Sequence, residues 1–270
     1  MPNLRQYISW NLRTAFFHWI KSTRNKSLYT FAGVRRSGNH AIIHWMMRNM
    51  SGCTSFCNDV WLNQDPSKAT LKKMKLGINS RRNVIISYED RLPDFSDSLY
   101  NSDHVGHISN QYHIIILRDQ FNLFASRMSW KYKQGTCFKK NVNYRKKIID
   151  IWKSHALQFL EWEQGSESSA IVRVPINFNE WYVNKHYRKT IGQQLALDGN
   201  QTNVGAIHDY GGGSSFDGMN VRAGKQLDVL CRYKNLLQDH DFKSIFEDKE
   251  LITLSTKIFG HIPGTDVLYR

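Results

Sequence analysis

Cysteine is scarce in this sequence, and its spacing argues against two common ways of stabilising a small domain. Only 4 of the 270 residues are cysteines, at Cys53, Cys57, Cys137 and Cys231. The first two form a C-x3-C pair, but no second pair of Cys or His follows at zinc-finger spacing. Neither a disulfide framework nor a structural zinc site is indicated, and a reducing, cytoplasmic location fits best.

Long hydrophobic runs are absent as well. No stretch approaches the ~20 consecutive apolar residues of a transmembrane helix, and no segment has the pattern of a signal peptide. The stretch Tyr7 to Ile20 spaces its apolar side chains as a helix would, but interrupts them with Asn11, Arg13 and His18. We therefore assign residues 1–26 to an N-terminal helical extension packed on the domain, and expect no stable membrane insertion.

Acidic residues are few relative to basic ones, with 23 Asp and Glu against 37 Lys and Arg, a formal charge of +14. This excess attracts polyanions, anionic membranes or highly charged small cofactors without choosing among them. We find no zinc finger, RNP-like aromatic motif or concentrated basic tail, so a nucleic-acid-binding protein is the weaker alternative. With 41% hydrophobic residues, residues 1–270 suffice for a single domain with a substantial core.

Short apolar runs alternate with helical patterns along the chain. Four runs are continuous, as in strands buried on both faces of a parallel sheet: Ser27 to Val34, Asn83 to Tyr88, His113 to Leu117 and Ala170 to Ile176. Helical spacing of apolar residues is found in Asn39 to Met50 and in Lys146 to Gln164. The predicted class is α/β, with a three-layer architecture in which helices flank a mainly parallel central sheet.

A glycine loop lies between the first predicted strand and the helix after it. Gly33 to Gly38 has the G-x4-G spacing of a phosphate-binding loop in a P-loop-like strand-loop-helix arrangement. Backbone N–H groups from Ser37 to His40 are expected to point at a phosphate at the positive end of the helix dipole. Arg36 would add a charge-assisted contact.

The residues after the second glycine differ from those of nucleoside-triphosphate-binding loops. Those loops continue with Lys and then Ser or Thr, whose hydroxyl binds Mg²⁺, whereas Asn39 and His40 stand here. A P-loop kinase is therefore the closest enzymatic alternative, but it would lack its usual magnesium ligand. A phosphosulfate donor suits this loop better than Mg-ATP, and we predict no metal.

Two segments resemble the family of sulfotransferases that use 3′-phosphoadenosine-5′-phosphosulfate (PAPS). Arg36-Ser37-Gly38-Asn39 resembles the family's donor loop, and Leu117 to Arg127 is similar to its 3′-phosphate site. In the second segment Arg118 follows a strand, and Ser126 lies about two turns along the next helix. The guanidinium and the hydroxyl can then converge on one phosphate. His40 departs from the Thr or Ser most often found at its place.

The resemblance also implies that a late glycine-containing loop, residues 198–224, lies close to the cofactor's 3′-phosphate and adenine. The implied nucleotide ligands are Arg35, Arg36, Ser37, Gly38, Asn39, His40, Ala41, Arg118, Ser126, Ser214, Ser215 and Phe216. The predicted donor is PAPS, and its product is adenosine 3′,5′-bisphosphate (PAP).

The catalytic base is expected just after the second predicted strand, because in this family the strand that follows the donor loop delivers it. No His occurs there, and Glu89 is the first choice. Asp90 is the alternative, since successive strand residues point to opposite faces and only one of the pair can face the donor. Arg36 and His40 complete the predicted catalytic set.

Four histidines stay open as alternative bases. They are His40, His104, His107 and His113. Spacings of three and six residues among the last three do not make a metal site without a further ligand.

The resemblance implies metal-free in-line transfer of a sulfuryl group from PAPS to a hydroxyl, or to an amine or amide nitrogen, of an acceptor. We expect a soluble small molecule as the acceptor and no nucleic-acid partner; a homodimer stays open. The loops that would form the acceptor pocket match no known pattern, so the sequence does not name the acceptor.

Overall fold

Five parallel strands form the central sheet of the computed structural model, which describes residues 24–60, 82–91, 107–129, 138–165, 170–199, 202–204 and 229–269. The strands are β1 (Arg24–Gly33), β2 (Thr54–Cys57), β3 (Asn83–Glu89), β4 (His107–Leu117) and β5 (Ile171–Asn177). They lie in the order β2-β3-β1-β4-β5, and every neighbouring pair is parallel. The predicted α/β class is confirmed.

Helices follow the strands in sequence. They are α1 (Asn39–Asn49), α2 (Gln120–Met128), α3 (Val142–Glu163), α4 (Phe178–Val183), α5 (Lys185–Gln194), α6 (His240–Lys243) and α7 (Lys249–Phe259). Three short 3-10 turns occupy Arg232–Leu236, Ser244–Glu247 and Asp266–Leu268. Within the described ranges, none of the helices combines the length and the apolar character needed to cross a bilayer.

Helices cover both faces of the sheet, and alternate strand residues point into the two layers. Ile114 of β4 packs in a core with Trp45 of α1 and with side chains of α4 and α5. Its neighbour Ile115 packs in a second core with Trp152 of α3 and with side chains of α2 and α7. Because both faces are buried, the central strands are continuously apolar rather than alternating.

The strand bounds differ from the sequence prediction where a strand begins with polar residues or is very short. β4 begins at His107 rather than His113, because the polar and largely exposed first half of the strand still pairs with β1. β1 begins at Arg24, so residues 24–26 belong to the strand and not to the predicted N-terminal extension. The edge strand β2 is only 4 residues long, too short for its pattern to be recognised.

Side-chain caps set the starts of two helices. Helix α3 begins at Val142, four residues before its predicted start, because the Asn141 side chain accepts a hydrogen bond from Tyr144 N at 2.9 Å. Helix α2 begins after Asp119, whose side chain accepts from Asn122 N at 2.8 Å. The helix predicted within Tyr7 to Ile20 lies outside the described residues.

Helix α3 is tied to the ends of two strands by buried aromatic side chains. Trp152 Nε1 donates to the Arg118 carbonyl at 3.0 Å, just after β4. His155 Nε2 lies 2.7 Å from the Arg91 carbonyl, just after β3, and must donate to it because a carbonyl only accepts. Burial lowers the pKa of His155 from 6.5 to about 4, so the imidazole is neutral near pH 7. These contacts give His155 a structural role.

The depressed pKa of His155 predicts a pH-dependent stability. The unfolded chain takes up a proton near pH 6.5, the folded chain only near pH 4, so the free energy of unfolding should fall as pH drops through this window. We expect a shallower fall in His155→Gln, measured by urea unfolding at several pH values. His113, whose pKa burial likewise lowers to about 4, contributes part of the remaining slope. Exposed His261 replaced by Gln is the control; identical slopes in H155Q and wild type would contradict the prediction.

Candidate functional site

The register of the sheet brings four strand ends to one edge. Gly33, the last residue of β1, lies opposite Glu89 of β3 on one side and Ile116 of β4 on the other. Leu117 lies opposite Asn177 of β5. Segments that leave these strands therefore start at the same level, the carboxyl edge at which ligands of open α/β sheets bind.

The glycine loop after β1 turns sharply before α1. Ser37 N donates to the Val34 carbonyl at 3.0 Å, and Arg36 adopts a left-handed backbone with φ 78°. Gly38, with φ 92°, is the N-cap of α1 and offers no side chain to cap the helix. A Cβ at Gly38 would overlap the ring of Phe178, which packs directly on the loop. Only glycine satisfies both the backbone angle and this close approach.

The loop has the features of an anion site. It lies at the N-terminus of an 11-residue helix, where main-chain N–H groups and the helix dipole favour negative charge. The Ser37 side chain is fully buried, and its Oγ has no hydrogen-bond partner among the residues described. Buried hydroxyls normally have a hydrogen-bond partner. The Ser37 hydroxyl is therefore suited to bond an anion held in this loop.

Two arginines meet at Ser126 of α2, and a third bonds the backbone of one of them. Arg36 Nε donates to Ser126 Oγ at 3.0 Å, and a terminal nitrogen of Arg232 donates to the same oxygen at 3.2 Å. Arg118 Nη1 donates to the Arg36 carbonyl at 3.1 Å, and its guanidinium carbon lies 5.2 Å from the Phe178 ring centroid. Arg118 and Arg232 are 2% and 4% exposed. Two positive charges that meet at one hydroxyl, with a third on the neighbouring Arg36 carbonyl, create a strongly favourable place for a multiply charged anion.

Arg232 reaches this cluster because Asn122 holds the backbone around it. Asn122 Oδ1 accepts from Arg232 N at 2.8 Å, and Asn122 Nδ2 donates to the Leu230 carbonyl at 3.0 Å. The same amide nitrogen lies 3.1 Å from both oxygens of Asp119, the cap of α2. One fully buried asparagine thus joins the start of α2 to a segment more than 100 residues later in the chain.

A second cluster, of mixed charge, surrounds Glu89. Arg35 Nε donates to Glu89 Oε2 at 3.2 Å, and Asn39 Nδ2 donates to Glu89 Oε1 at 3.1 Å. Arg35 also pairs with Asp59. Burial alone would lower the pKa of Arg35, but Asp59, Asp90 and Glu89 outweigh it and raise that pKa. The Arg35 guanidinium thus lies among carboxylates, whereas Arg36 and Arg232 bond Ser126.

Asp90 is held differently from Glu89. The Arg127 guanidinium donates hydrogen bonds to Asp90 Oδ1 and Oδ2 at 2.9 and 3.1 Å, and Oδ1 also accepts from Arg35 N at 2.8 Å. Glu89 has one donor on each oxygen, and a carboxylate offers about four acceptor positions. Of the two neighbouring carboxylates, Glu89 therefore keeps more capacity to accept a proton from another molecule.

His40 lies on the same side of the edge as Glu89. Its Nε2 is 3.0 Å from Asn58 Oδ1, which also accepts from Ser87 Oγ at 3.0 Å. Ser87 Oγ in turn accepts from Asp59 N at 3.0 Å, so its own proton goes to Asn58. Because Asn58 Oδ1 only accepts, His40 Nε2 carries the proton. This chain of hydrogen bonds fixes the tautomer of His40.

The other predicted site residues are more scattered. Ala41 is exposed on the first turn of α1. His107 is exposed near the amino end of β4, and His113 is buried six residues later in the same strand. His104, Ser214, Ser215 and Phe216 lie outside the described residues. In the part of the chain that is described, no three His, Cys, Asp or Glu side chains are grouped so as to hold a metal ion.

Sequence reasoning missed four residues that join these clusters. They are Asp59, Asn122, Arg127 and Arg232. Asn122 and Arg127 lie inside the segment that resembles the 3′-phosphate site, but Arg232 and Asp90, to which they bond, are remote in sequence. Arg232 lies 106 residues after Ser126 and carries no local signal.

Comparisons with known proteins give a limited likeness to solved structures. No protein-family model matches the sequence, and no curated protein matches it either. The fold is similar to that in the crystal structure of mouse sulfotransferase SULT7A1 complexed with PAP, at a TM-score of 0.42 and 14% sequence identity. The match covers 68% of this chain and 64% of that chain. A likeness at this level decides nothing about activity, so the function proposed below rests on the geometry of the site.

The close contact between Gly38 and Phe178 predicts how two glycine substitutions differ. Gly38 and Gly52 both have left-handed φ, 92° and 82°, but a Cβ at Gly52 meets nothing within 4 Å. Gly38→Ala should therefore lose more free energy of unfolding than Gly52→Ala, by ~1–3 kcal/mol for the extra steric overlap. Denaturant unfolding of both variants measures the difference. Equal losses would contradict the packing of Phe178 on the loop.

Proposed function

We propose that this chain is a sulfotransferase that binds PAPS and transfers its sulfuryl group to a hydroxyl, or to an amine or amide nitrogen, of an acceptor. One observation carries the proposal: the loop at the start of α1 and the arginine cluster at Ser126 are two neighbouring anion sites joined by Arg36. Arg36 belongs to the loop and donates to Ser126. A nucleotide with phosphates on both its 3′ and 5′ oxygens matches such a pair of sites.

The two sites suit different phosphates of this nucleotide. The loop, with the buried Ser37 hydroxyl and the N-terminus of α1, suits the 5′-phosphate that carries the sulfuryl group. Ser126 with Arg118 and Arg232 suits the 3′-phosphate, a terminal dianion. Arg232 thereby joins the ligands that the sequence resemblance implied.

The Glu89 cluster provides a base beside the loop. Arg35 and Asn39 hold the carboxylate from two sides, which orients it while leaving room for a proton on either oxygen. Glu89 accepts the acceptor's proton as the new bond to sulfur forms. Asn39, the first residue of α1 after the loop, contacts Glu89 directly, so the base lies beside the donor site. The role of Arg35 is then to position Glu89 rather than to bind nucleotide.

The bond that breaks lies between sulfur and the bridging oxygen of the phosphosulfate, and it releases PAP. Arg36 and the N–H groups at the start of α1 stabilise the charge that develops on the leaving phosphate. His40, held by Asn58 in one tautomer, lies in the same turn of α1. The proton taken by Glu89 balances the charge that departs with PAP. A soluble small molecule as the acceptor belongs to this proposal.

The first test is calorimetric titration of the purified protein with PAP in EDTA, with ATP and Mg²⁺ as comparison. We expect micromolar binding of PAP, weakened about 10- to 100-fold in Arg118→Ala and in Arg232→Ala, the effect of losing one charged hydrogen bond. Arg145→Ala removes a poorly exposed arginine of α3 that bonds the Lys139 carbonyl and serves as the control. Binding of Mg-ATP alone would instead support a kinase, and no binding would reject the proposal.

A matched ligand assigns the arginines to the 3′-phosphate. Adenosine 5′-monophosphate lacks that group but keeps the 5′-phosphate. Arg232→Ala should weaken PAP binding while leaving this weaker binding nearly unchanged. Arg118→Ala should weaken PAP binding more than it weakens binding of adenosine 5′-monophosphate, because Arg118 also bonds the loop at the Arg36 carbonyl. Equal effects on both ligands would contradict the assignment.

The role of Glu89 predicts a separation of turnover from binding. Glu89→Gln keeps the shape of the side chain but cannot accept the proton, so transfer of labelled sulfate should slow by about 10²- to 10⁴-fold. PAP affinity should stay within a few-fold of wild type. Glu161→Gln, at an exposed position of α3, is the control. Full activity in E89Q would show that another group, such as His40, is the base.

A further inference from the structure

The buried ion pair between Asp90 and Arg127 holds the phosphate-binding loop at Arg35, and the proposed reaction does not use it. Asp90 accepts from the Arg35 N–H, and Arg127 donates to the Arg35 carbonyl. We infer that Asp90 and Arg127 are positioning residues that keep this loop in its anion-receiving conformation before any nucleotide binds. The nucleotide in this inference rests on the proposed function. The loop conformation itself can be measured without it.

Asp90 holds the loop from the side of β3. Its N–H donates to the Gly33 carbonyl at 3.1 Å, and its Oδ1 accepts from Arg35 N at 2.8 Å. To make both bonds Asp90 adopts a left-handed backbone with φ 55°. A non-glycine residue is strained there, and such strain persists only where surrounding contacts impose it.

Arg127 holds the loop from the side of α2. Its Nη1 donates to the Arg35 carbonyl at 3.1 Å and to Asp90 Oδ1 at 2.9 Å. Its Nη2 donates to Asp90 Oδ2 at 3.1 Å and to the Tyr144 hydroxyl at 2.9 Å. The side chain is fully buried, and its guanidinium carbon lies 5.3 Å from the Phe138 ring centroid and 5.7 Å from that of Tyr144. The planar fork has one orientation that satisfies all these contacts.

Both contacts act where the loop is strained. The Arg35 N–H donates to Asp90, and the Arg35 carbonyl accepts from Arg127. The next residue, Arg36, has φ 78°. The carbonyl of Arg36 accepts from Arg118. With the peptide groups on either side fixed, Arg36 is kept in the left-handed turn that directs its side chain to Ser126. Without the pair, the loop could relax to a conformation that no longer presents its N–H groups.

The pair also links the two clusters. Ser126 and Arg127 are consecutive on α2, and Glu89 and Asp90 are consecutive at the end of β3. Each element thus supplies one group to the proposed chemistry and one to the pair that orients the loop. A buried ion pair is a poor source of stability compared with apolar packing, so positioning of the loop gives it a role that stability alone would not.

The test compares two buried arginines. Arg127→Lys keeps the charge but cannot reach Asp90, Tyr144 and the Arg35 carbonyl together. Arg188→Lys is the matched control: Arg188 is 4% exposed and donates to the carbonyls of Trp181, Tyr182 and Thr202. We expect Arg127→Lys to weaken PAP binding about 10-fold or more, as loss of an organised loop would. Arg188→Lys should change PAP affinity by less than about twofold, even if both lower the Tm.

A second readout needs no nucleotide. Amide hydrogen exchange of residues 33–41 in the ligand-free protein should be faster in Arg127→Lys than in wild type and unchanged in Arg188→Lys. Asp90→Asn keeps an acceptor for Arg35 N but loses the charge that faces Arg127, and it should speed exchange in the same residues. Exchange in these variants measures the stability of the loop conformation without a ligand.

The outcomes separate the inference from the proposed function. If Arg127→Lys binds PAP and exchanges its loop amides as wild type does, the inference is overturned while the proposed function stands. Equal losses of PAP affinity in Arg127→Lys and Arg188→Lys would also overturn it, because the effect would then follow stability alone. If wild type binds no PAP but the loop amides exchange faster only in Arg127→Lys and Asp90→Asn, the proposed function fails and the loop-positioning role is supported.

Discussion

The arrangement of the candidate site at the carboxyl edge of the sheet depends on the register of β1 with β3 and β4. Because Gly33 lies opposite both Glu89 and Ile116, the segments that leave β1, β3 and β4 start at one level. The glycine loop, the pair Glu89-Asp90 and the turn with Arg118 are then neighbours without any long connection between them. A shift of the register by one residue would reverse the faces of these side chains and separate the clusters.

The geometry of α2 separates the arginines that bond Ser126 from the carboxylate that pairs with Arg127. Successive residues of a helix point about 100° apart, so Ser126 and Arg127 reach different partners. Ser126 meets Arg36 and Arg232, where positive charge accumulates, and Arg127 meets Asp90, where charge is balanced. One helix can thereby support an anion site and a carboxylate cluster side by side.

Much of this arrangement follows from local patterns. The strands around Phe31, Ile85 and Ile115 were predictable because burial on both faces makes them continuously apolar, and α1 and α2 because each follows a strand and a turn. The likeness of two short segments predicted Ser126 beside Arg118, whereas in the structure Ser126 Oγ accepts from Arg36 and Arg232. The contacts of Arg35, which was predicted as a nucleotide ligand, could not be read from local patterns, because Asp59 and Glu89 are 24 and 54 residues away in sequence.

By itself the sequence determined the α/β class, the glycine loop and the strand ends that carry Glu89 and Arg118, since these depend on periodicity and on residues adjacent in the chain. Only the tertiary structure decided that Asp90 belongs to Arg127, that Arg35 lies among carboxylates, and that Arg232 joins Ser126. The physical reason is that each of these contacts joins elements far apart in sequence. No local pattern encodes which charge will face which once the sheet and its helices have packed.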